Sequence, residues 1–219
     1  MLRLGLPAFT DRPFRLLCLG AHPDDIEIGA AATIGRLLAS YERSDVRWVV
    51  LSGTPERAAE ATASARALVA DEATLDLTLG EFRDGYLAFH GAEVKEALAV
   101  VRDGFAPDLI IAPRPDDLHQ DHALVGALTH QLFRDHLILS YEIAKTDGDL
   151  VTPNLYVPID RDEVEAKMAH LARHFSSQSD RAWFEPEAFR ALMRVRGLEA
   201  SAPSGYAEAF HARRIVVQL

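Results

Sequence analysis

The sequence predicts an α/β protein, a Rossmann-like three-layer αβα arrangement around a mostly parallel, doubly wound sheet. Three observations predict it. Short apolar runs alternate with segments of helical pattern along most of the chain, as βαβ units require. The clearest runs, LLCL at 16–19 and LIIA at 109–112, are continuously apolar, which suits strands covered on both faces. Each of these two runs also stops abruptly in a polar turn stiffened by proline.

The elements follow in order. Residues 1–12 read as a loose arm, and the first strand spans about Phe14–Gly20. The small and aliphatic segment from Gly29 to Tyr41 reads as a helix. VRWVVL at 46–51 is the second strand. Thr54 then offers an N-cap with Pro55 at the first helical position, and an alanine-rich helix runs on to about Asp71. Leu75–Leu79 reads as the third strand, with Gly80–Gly85 as a loop. A helix over Glu93–Gly104, a fourth strand over Asp108–Ala112, a helix over Gln120–Phe133 and a fifth strand over His136–Ile143 continue the alternation. Residues 144–160 read as irregular, with a short strand near Leu155–Val157. Helices over Asp162–His174 and Glu187–Arg196 come next. RRIVVQ at 213–218 reads as a last strand, antiparallel at an edge. No repeat or linker divides the chain, so one domain over residues 1–219 is expected.

Composition narrows the function classes. The formal net charge is −10, which argues against a nucleic-acid surface, because phosphates need a basic patch. No apolar stretch approaches the roughly 20 residues of a membrane span, and Met1–Pro13 lacks the basic start and apolar core of a secretory signal. The lone cysteine, Cys18, lies in the first strand and reads as a buried thiol. These features point to the cytoplasm. A homo-oligomer is left open.

Two polar loops carry the chemistry. His22-Pro23-Asp24-Asp25 follows the first strand. His22 and Asp25 offer a nitrogen and an oxygen ligand three positions apart, and Asp24 between them points elsewhere, free to act as a base. Two ligands leave a metal site incomplete, so a third must come from another segment. The plain alternative is a solvated turn whose aspartate caps the next helix. The second loop, Asp116-Asp117-Leu118-His119-Gln120-Asp121-His122, follows the fourth strand. In the common doubly wound order the first and fourth strands are neighbours, their connections leave in opposite directions, and ligands bind at that reversal. His119 and His122 share a face of one helical turn. A metal takes one of them while the other hydrogen-bonds a substrate oxygen, and Asp121 is placed to orient a ring nitrogen. Ser52 and Ser140 have no histidine and aspartate arranged as partners, which disfavours a serine hydrolase. The glycines of the first turn do not form the dinucleotide fingerprint. His170 and His174, four apart on a helix, read as a solvated face.

With these residues in place, the chain resembles the PIG-L (LmbE-like) deacetylases, which remove an N-acetyl group from a glucosamine-containing substrate using zinc. HPDD at 22–25 and HxDH at 119–122 carry the resemblance. Arg57 with Glu60, Phe82-Arg83-Asp84-Gly85, Ser177-Gln178 and Tyr206–Phe210 extend it over most of the chain. It departs at Ile26, where the family commonly has Glu, at Gln120, where Pro is frequent, and at Asp117, where some members have Tyr. The resemblance implies an LmbE-like fold with His22, Asp25 and His122 as metal ligands and Asp24 as general base. It implies that His119 polarises the amide carbonyl or protonates the leaving amine, with Asp121 orienting it. Arg57 and Asp84 would contact the sugar or its attached group. The implied partner is a small amino sugar or glycoconjugate. The implied cofactor is Zn2+, and Fe2+ or Co2+ suit the same donor set. Two other classes stay open: a non-catalytic carbohydrate- or metal-binding protein on the same fold, and a metal-dependent hydrolase of another amide or an ester.

Overall fold

In the computed structural model, which describes residues 3–69 and 73–216, the run Phe14–Gly20 forms β1 near the middle of a sheet. Its Leu16 and Cys18 enter one apolar core, and its Leu17 and Leu19 enter another. A strand that serves two cores carries no polar alternation, which is why residues 16–19 are apolar throughout. Among the described residues six more strands complete the sheet: β2 (Ser44–Ser52), β3 (Ala73–Phe82), β4 (Leu109–Pro113), β5 (Leu137–Tyr141), β6 (Leu155–Ile159) and β7 (Tyr206–Ala212). Their order is β3-β2-β1-β4-β5-β7-β6. The first five are parallel, and β7 runs antiparallel to both β5 and β6.

Helices cover both faces. α1 (Asp25–Ser40), α2 (Pro55–Leu68), α5 (Arg161–His174) and α6 (Pro186–Glu199) close the core that holds Leu16 and Trp48. α3 (Gly91–Gly104) and α4 (Gln120–Leu132) close the core that holds Leu17 and Ile110. β1 lies beside β4, with Cys18 opposite Ile111. α1 therefore departs to one face and α4 to the other, and a crevice opens where the chain directions part. Two glycines let these helices come close. A Cβ on Gly29 would lie 2.5 Å from the ring of Tyr141, and one on Gly126 would lie 2.6 Å from the backbone of Arg114.

Several boundaries differ from the sequence reading, and these stand out. α1 starts at Asp25, four residues before the expected Gly29, because the Asp25 carboxylate accepts the N–H groups of Ala21 and His22 and so pins the turn to the helix start. β3 runs on through the expected loop to Phe82, and a 3-10 turn at Leu87–His90 precedes α3. Asp71, the expected end of the second helix, lies outside the described residues, and α2 ends at Leu68. The last strand is Tyr206–Ala212, not Arg213–Gln218, and it lies inside the sheet while β6 takes the edge. Residues 213–216 are not strand, and 217–218 lie outside the described residues. Glu208 disguised this strand. Its carboxylate is buried against Lys167 at 2.6 Å and accepts the backbone N–H of Thr33 at 2.7 Å, so a charge occupies a core position. Paired in this way a buried carboxylate is tolerated.

Candidate functional site

The first polar loop is held from three sides. Ser52 on β2 donates its N–H and its hydroxyl to the carbonyl of Ala21, at 2.9 and 2.7 Å. Asp25 Oδ2 accepts from the N–H groups of Ala21 at 3.0 Å and His22 at 2.9 Å. Asp24 sits in the left-handed region at φ 94°, a conformation that costs a side-chain-bearing residue about 1–3 kcal/mol and gathers at functional sites. Arg57, in the first turn of α2, donates to Asp24 Oδ2 at 2.7 Å and to the carbonyl of Pro23.

The second loop is built on carboxylates. Asp117 accepts from the backbone N–H of His119 at 2.8 Å, and its other oxygen lies 3.2 Å from His122 Nδ1. Asp121 is fully buried and accepts from the N–H of Gly85 at 2.8 Å and of Leu87 at 3.0 Å. It thereby ties the segment after β3 to the start of α4. Asp121 Oδ2 and Asp84 Oδ1 each lie 3.1 Å from His22 Nε2.

The two loops meet. His22 Nδ1 and His122 Nε2 are 3.1 Å apart. Asp25 Oδ1 is 3.2 Å from His122 Nε2, and Asp25 Oδ2 is 3.5 Å from His22 Nδ1. The hydrogen positions follow from the partners. Asp121 and Asp84 claim the Nε2–H of His22, and Asp117 claims the Nδ1–H of His122. In the neutral rings the two nitrogens that face each other therefore both carry lone pairs, beside a carboxylate. Lone pairs so placed repel one another unless a cation joins them. Tetrahedral N/O ligands at about 2.0–2.1 Å from a zinc ion stand about 3.3 Å apart, close to the spacing here. The donor set thus fits a divalent cation.

The electrostatics agree. Burial alone lowers the His22 imidazole, yet Asp25, Asp121 and Asp84 more than reverse it and hold it well above its ordinary value. His122 is likewise lowered by burial and raised by Asp25 and Asp117, ending at about 9. Burial raises the Asp25 carboxyl, but His122 and His22 pull it well below the usual range. The site thus attracts positive charge, and a metal ion competes with protons for it. Asp24 differs. Burial pushes its carboxyl well above the usual range, and Arg57 offsets that only in part. His119 is lowered, by burial first and then by His122 and His22, so its ring stays neutral near pH 7.

His22, His119 and His122 also bring one nitrogen each within 4.8 Å of one another, as do ligand atoms of His22, Asp84 and Asp121. The latter group is less suited to a second ion, because Asp121 already accepts two backbone N–H groups and His22 turns its Nε2–H toward it.

All eight residues singled out from the sequence lie in or beside this crevice, with partners that spacing did not disclose. The Asp121 carboxylate meets His22, and only its backbone N–H reaches His119, at Nδ1 and 3.3 Å. Arg57 holds Asp24, while its Nε is buried with no partner among the described residues. The Asp84 side chain is 61% exposed and open to an incoming molecule. Asp117 and Lys145 escaped the sequence reading as site residues. Asp117 had a local signal, five residues before His122, whereas Lys145 had none.

Solved structures share this fold. The conserved protein TT1542 from Thermus thermophilus is 23% identical, with a TM-score of 0.69 over 93% of this chain and 96% of its own. N,N'-diacetylchitobiose deacetylase from Pyrococcus horikoshii is 21% identical, with a TM-score of 0.65 over 90% of this chain and 83% of its own. GalB, the 4-carboxy-2-hydroxymuconate hydratase from Pseudomonas putida, is 17% identical, with a TM-score of 0.61 over 94% of this chain and 99% of its own. A fold shared by a deacetylase and a hydratase does not choose the reaction. The sequence is more specific: residues 17–133, more than half of the chain, match the family PIG-L, GlcNAc-PI de-N-acetylase, and carry both polar loops. The chain belongs to the PIG-L family.

Proposed function

We propose that this protein is a zinc-dependent de-N-acetylase that hydrolyses the acetamide of an N-acetylglucosamine-type sugar or glycoconjugate. One observation carries the reading: the ring nitrogens of His22 and His122 face each other with Asp25 against both, and Asp24, next in the chain, holds a further buried carboxylate outside that set, on Arg57. A protein that only binds sugar or metal has no use for that second carboxylate. His22, Asp25 and His122 would hold the cation. When bound, a divalent ion supplies Lewis acidity, polarising a carbonyl and making water a stronger acid.

The chain's own residues do the rest. Asp24, buried and gripped by Arg57, takes the proton of the attacking water and delivers it to the departing amine. General acid–base help of this kind is worth about 100- to 10,000-fold. His119 accepts the Asp121 N–H at Nδ1, which leaves the hydrogen on Nε2 to donate to the developing oxyanion. The exposed Asp84 carboxylate and the accessible part of the Arg57 side chain are left for the sugar or its attached group. We place the reaction in the cytoplasm, which suits a lone, buried, free thiol at Cys18.

The test is acetate release from N-acetylglucosamine derivatives by protein loaded with zinc, beside the same assay after chelation. Release is expected to stop on chelation. Asp24→Ala should lose at least about 100-fold in rate while still binding zinc. Turnover of Asp24→Ala at the wild-type rate would remove the base from the mechanism. Ester cleavage with no acetate from any N-acetyl sugar would favour a hydrolase of another bond, and saturable sugar binding without product would favour a binding protein.

A further inference from the structure

We infer that Lys145 is a positioning residue for His122, acting through Asp117, so that the loop after β5 belongs to the metal site. This rests on the reading of His22, Asp25 and His122 as a metal-binding set. The geometry is a relay. Lys145 Nζ lies 3.0 Å from Asp117 Oδ1. The other oxygen of Asp117 lies 3.2 Å from His122 Nδ1, on the far side of the ring from the nitrogen that faces His22. Lys145 Nζ also lies 2.6 Å from Asp149 Oδ1, and Asp149 Oδ2 accepts the backbone N–H of Leu118 at 2.9 Å. The side chains of Lys145, Asp117 and Asp149 are only 8%, 4% and 6% exposed.

The charges explain why an ammonium is needed there. Asp117 and Asp149 are two buried carboxylates that share one cation at hydrogen-bond distance. The next positive group, Arg114, stands 4.0 Å from the Asp149 carboxylate; it donates to the Asp149 backbone carbonyl at 3.0 Å and pairs with Asp116 at 3.1 Å. Without Lys145 the two carboxylates would lose the charge between them. Burial of unpaired like charges is strongly unfavourable, and Asp117 would turn away toward water. His122 would then lose the acceptor that fixes its tautomer and the plane of its ring. A histidine ligand whose far N–H loses its carboxylate typically gives up about 10- to 100-fold in metal affinity. Asp149 serves differently: it steadies the ammonium and the Leu118 backbone and does not touch the histidine.

The experiment measures zinc affinity of the full-length protein by competition with a chromogenic chelator, beside thermal unfolding of each metal-free variant. Lys145→Met is expected to bind zinc about 10- to 100-fold more weakly. Asp149→Asn, which leaves the Lys145–Asp117–His122 relay intact, should stay within about threefold of wild type, whatever it does to stability. Wild-type affinity in Lys145→Met would overturn the inference. So would equal losses in both variants that track their unfolding temperatures, since that pattern marks a structural clasp between two loops. If the wild-type protein binds no zinc, the reading of the metal set fails and takes this inference with it, an outcome distinct from the other two.

Discussion

Asp24 concentrates the tension between stability and chemistry in one residue. Its backbone is left-handed, and its carboxylate is buried beside a second carboxylate, with Arg57 as the countercharge. A carboxyl whose pKa is raised by folding contributes stability below its unfolded value and loses it as pH rises through the folded value. At neutral pH Asp24 is therefore a cost to the metal-free fold. Asn tolerates the left-handed region and keeps the shape without the charge. Asp24→Asn in metal-free protein is expected to hold or raise the urea midpoint at pH 7, while acetate release falls by at least about 100-fold. A clearly lower midpoint would mean that the ion pair with Arg57 outweighs the burial and the strain.

Helices α1, α2 and α5 meet at a polar chain running from Glu27 through Ser64 to His170. The Ser64 hydroxyl donates to Glu27, so the 2.8 Å contact from His170 Nε2 must be a donation to Ser64 from a neutral ring. Burial lowers His170 to about 4, with His174 and Arg173 adding to it, and burial raises Glu27 to about 7. The signs oppose. His170 contributes stability above its unfolded value of about 6.5, lost as pH falls toward 4. Glu27 contributes stability below its unfolded value of about 4.3, lost as pH rises through 7. Replacing His170 by Gln should flatten the fall of melting temperature between pH 6.5 and 4 relative to wild type; parallel curves would show that His170 does not carry that slope. Element boundaries were legible where one periodicity dominated. β1, β2 and α2 fell within a few residues of their expected ends, and Thr54 caps α2 through the N–H of Arg57 at 3.3 Å. β7 was not legible, because Glu208 breaks the apolar run and its partner Lys167 lies 41 residues away. RRIVVQ looked more like a strand than the real one.

For the whole molecule, the metal set is also a stability device. Three buried groups, from the ends of two adjacent strands, stand with their lone pairs converging. A cation that binds only the folded chain stabilises it by about 2.7 kcal/mol at 100 times its dissociation constant. Chelation of zinc-loaded protein should therefore lower the melting temperature, with recovery on adding zinc back; an unchanged transition would argue against a bound ion in that set. The sequence by itself determined the α/β class, the placement of both polar loops at strand ends, and the residue types available there. Those properties reside in runs of a few neighbouring residues, where periodicity, proline and spacing act directly. Only the tertiary structure decided the pairings: Asp121 on His22, Arg57 on Asp24, Asp117 and Lys145 behind His122. Most of these partners lie tens of residues apart, and hydrogen bonds and ion pairs depend on distance through space, which no local pattern records.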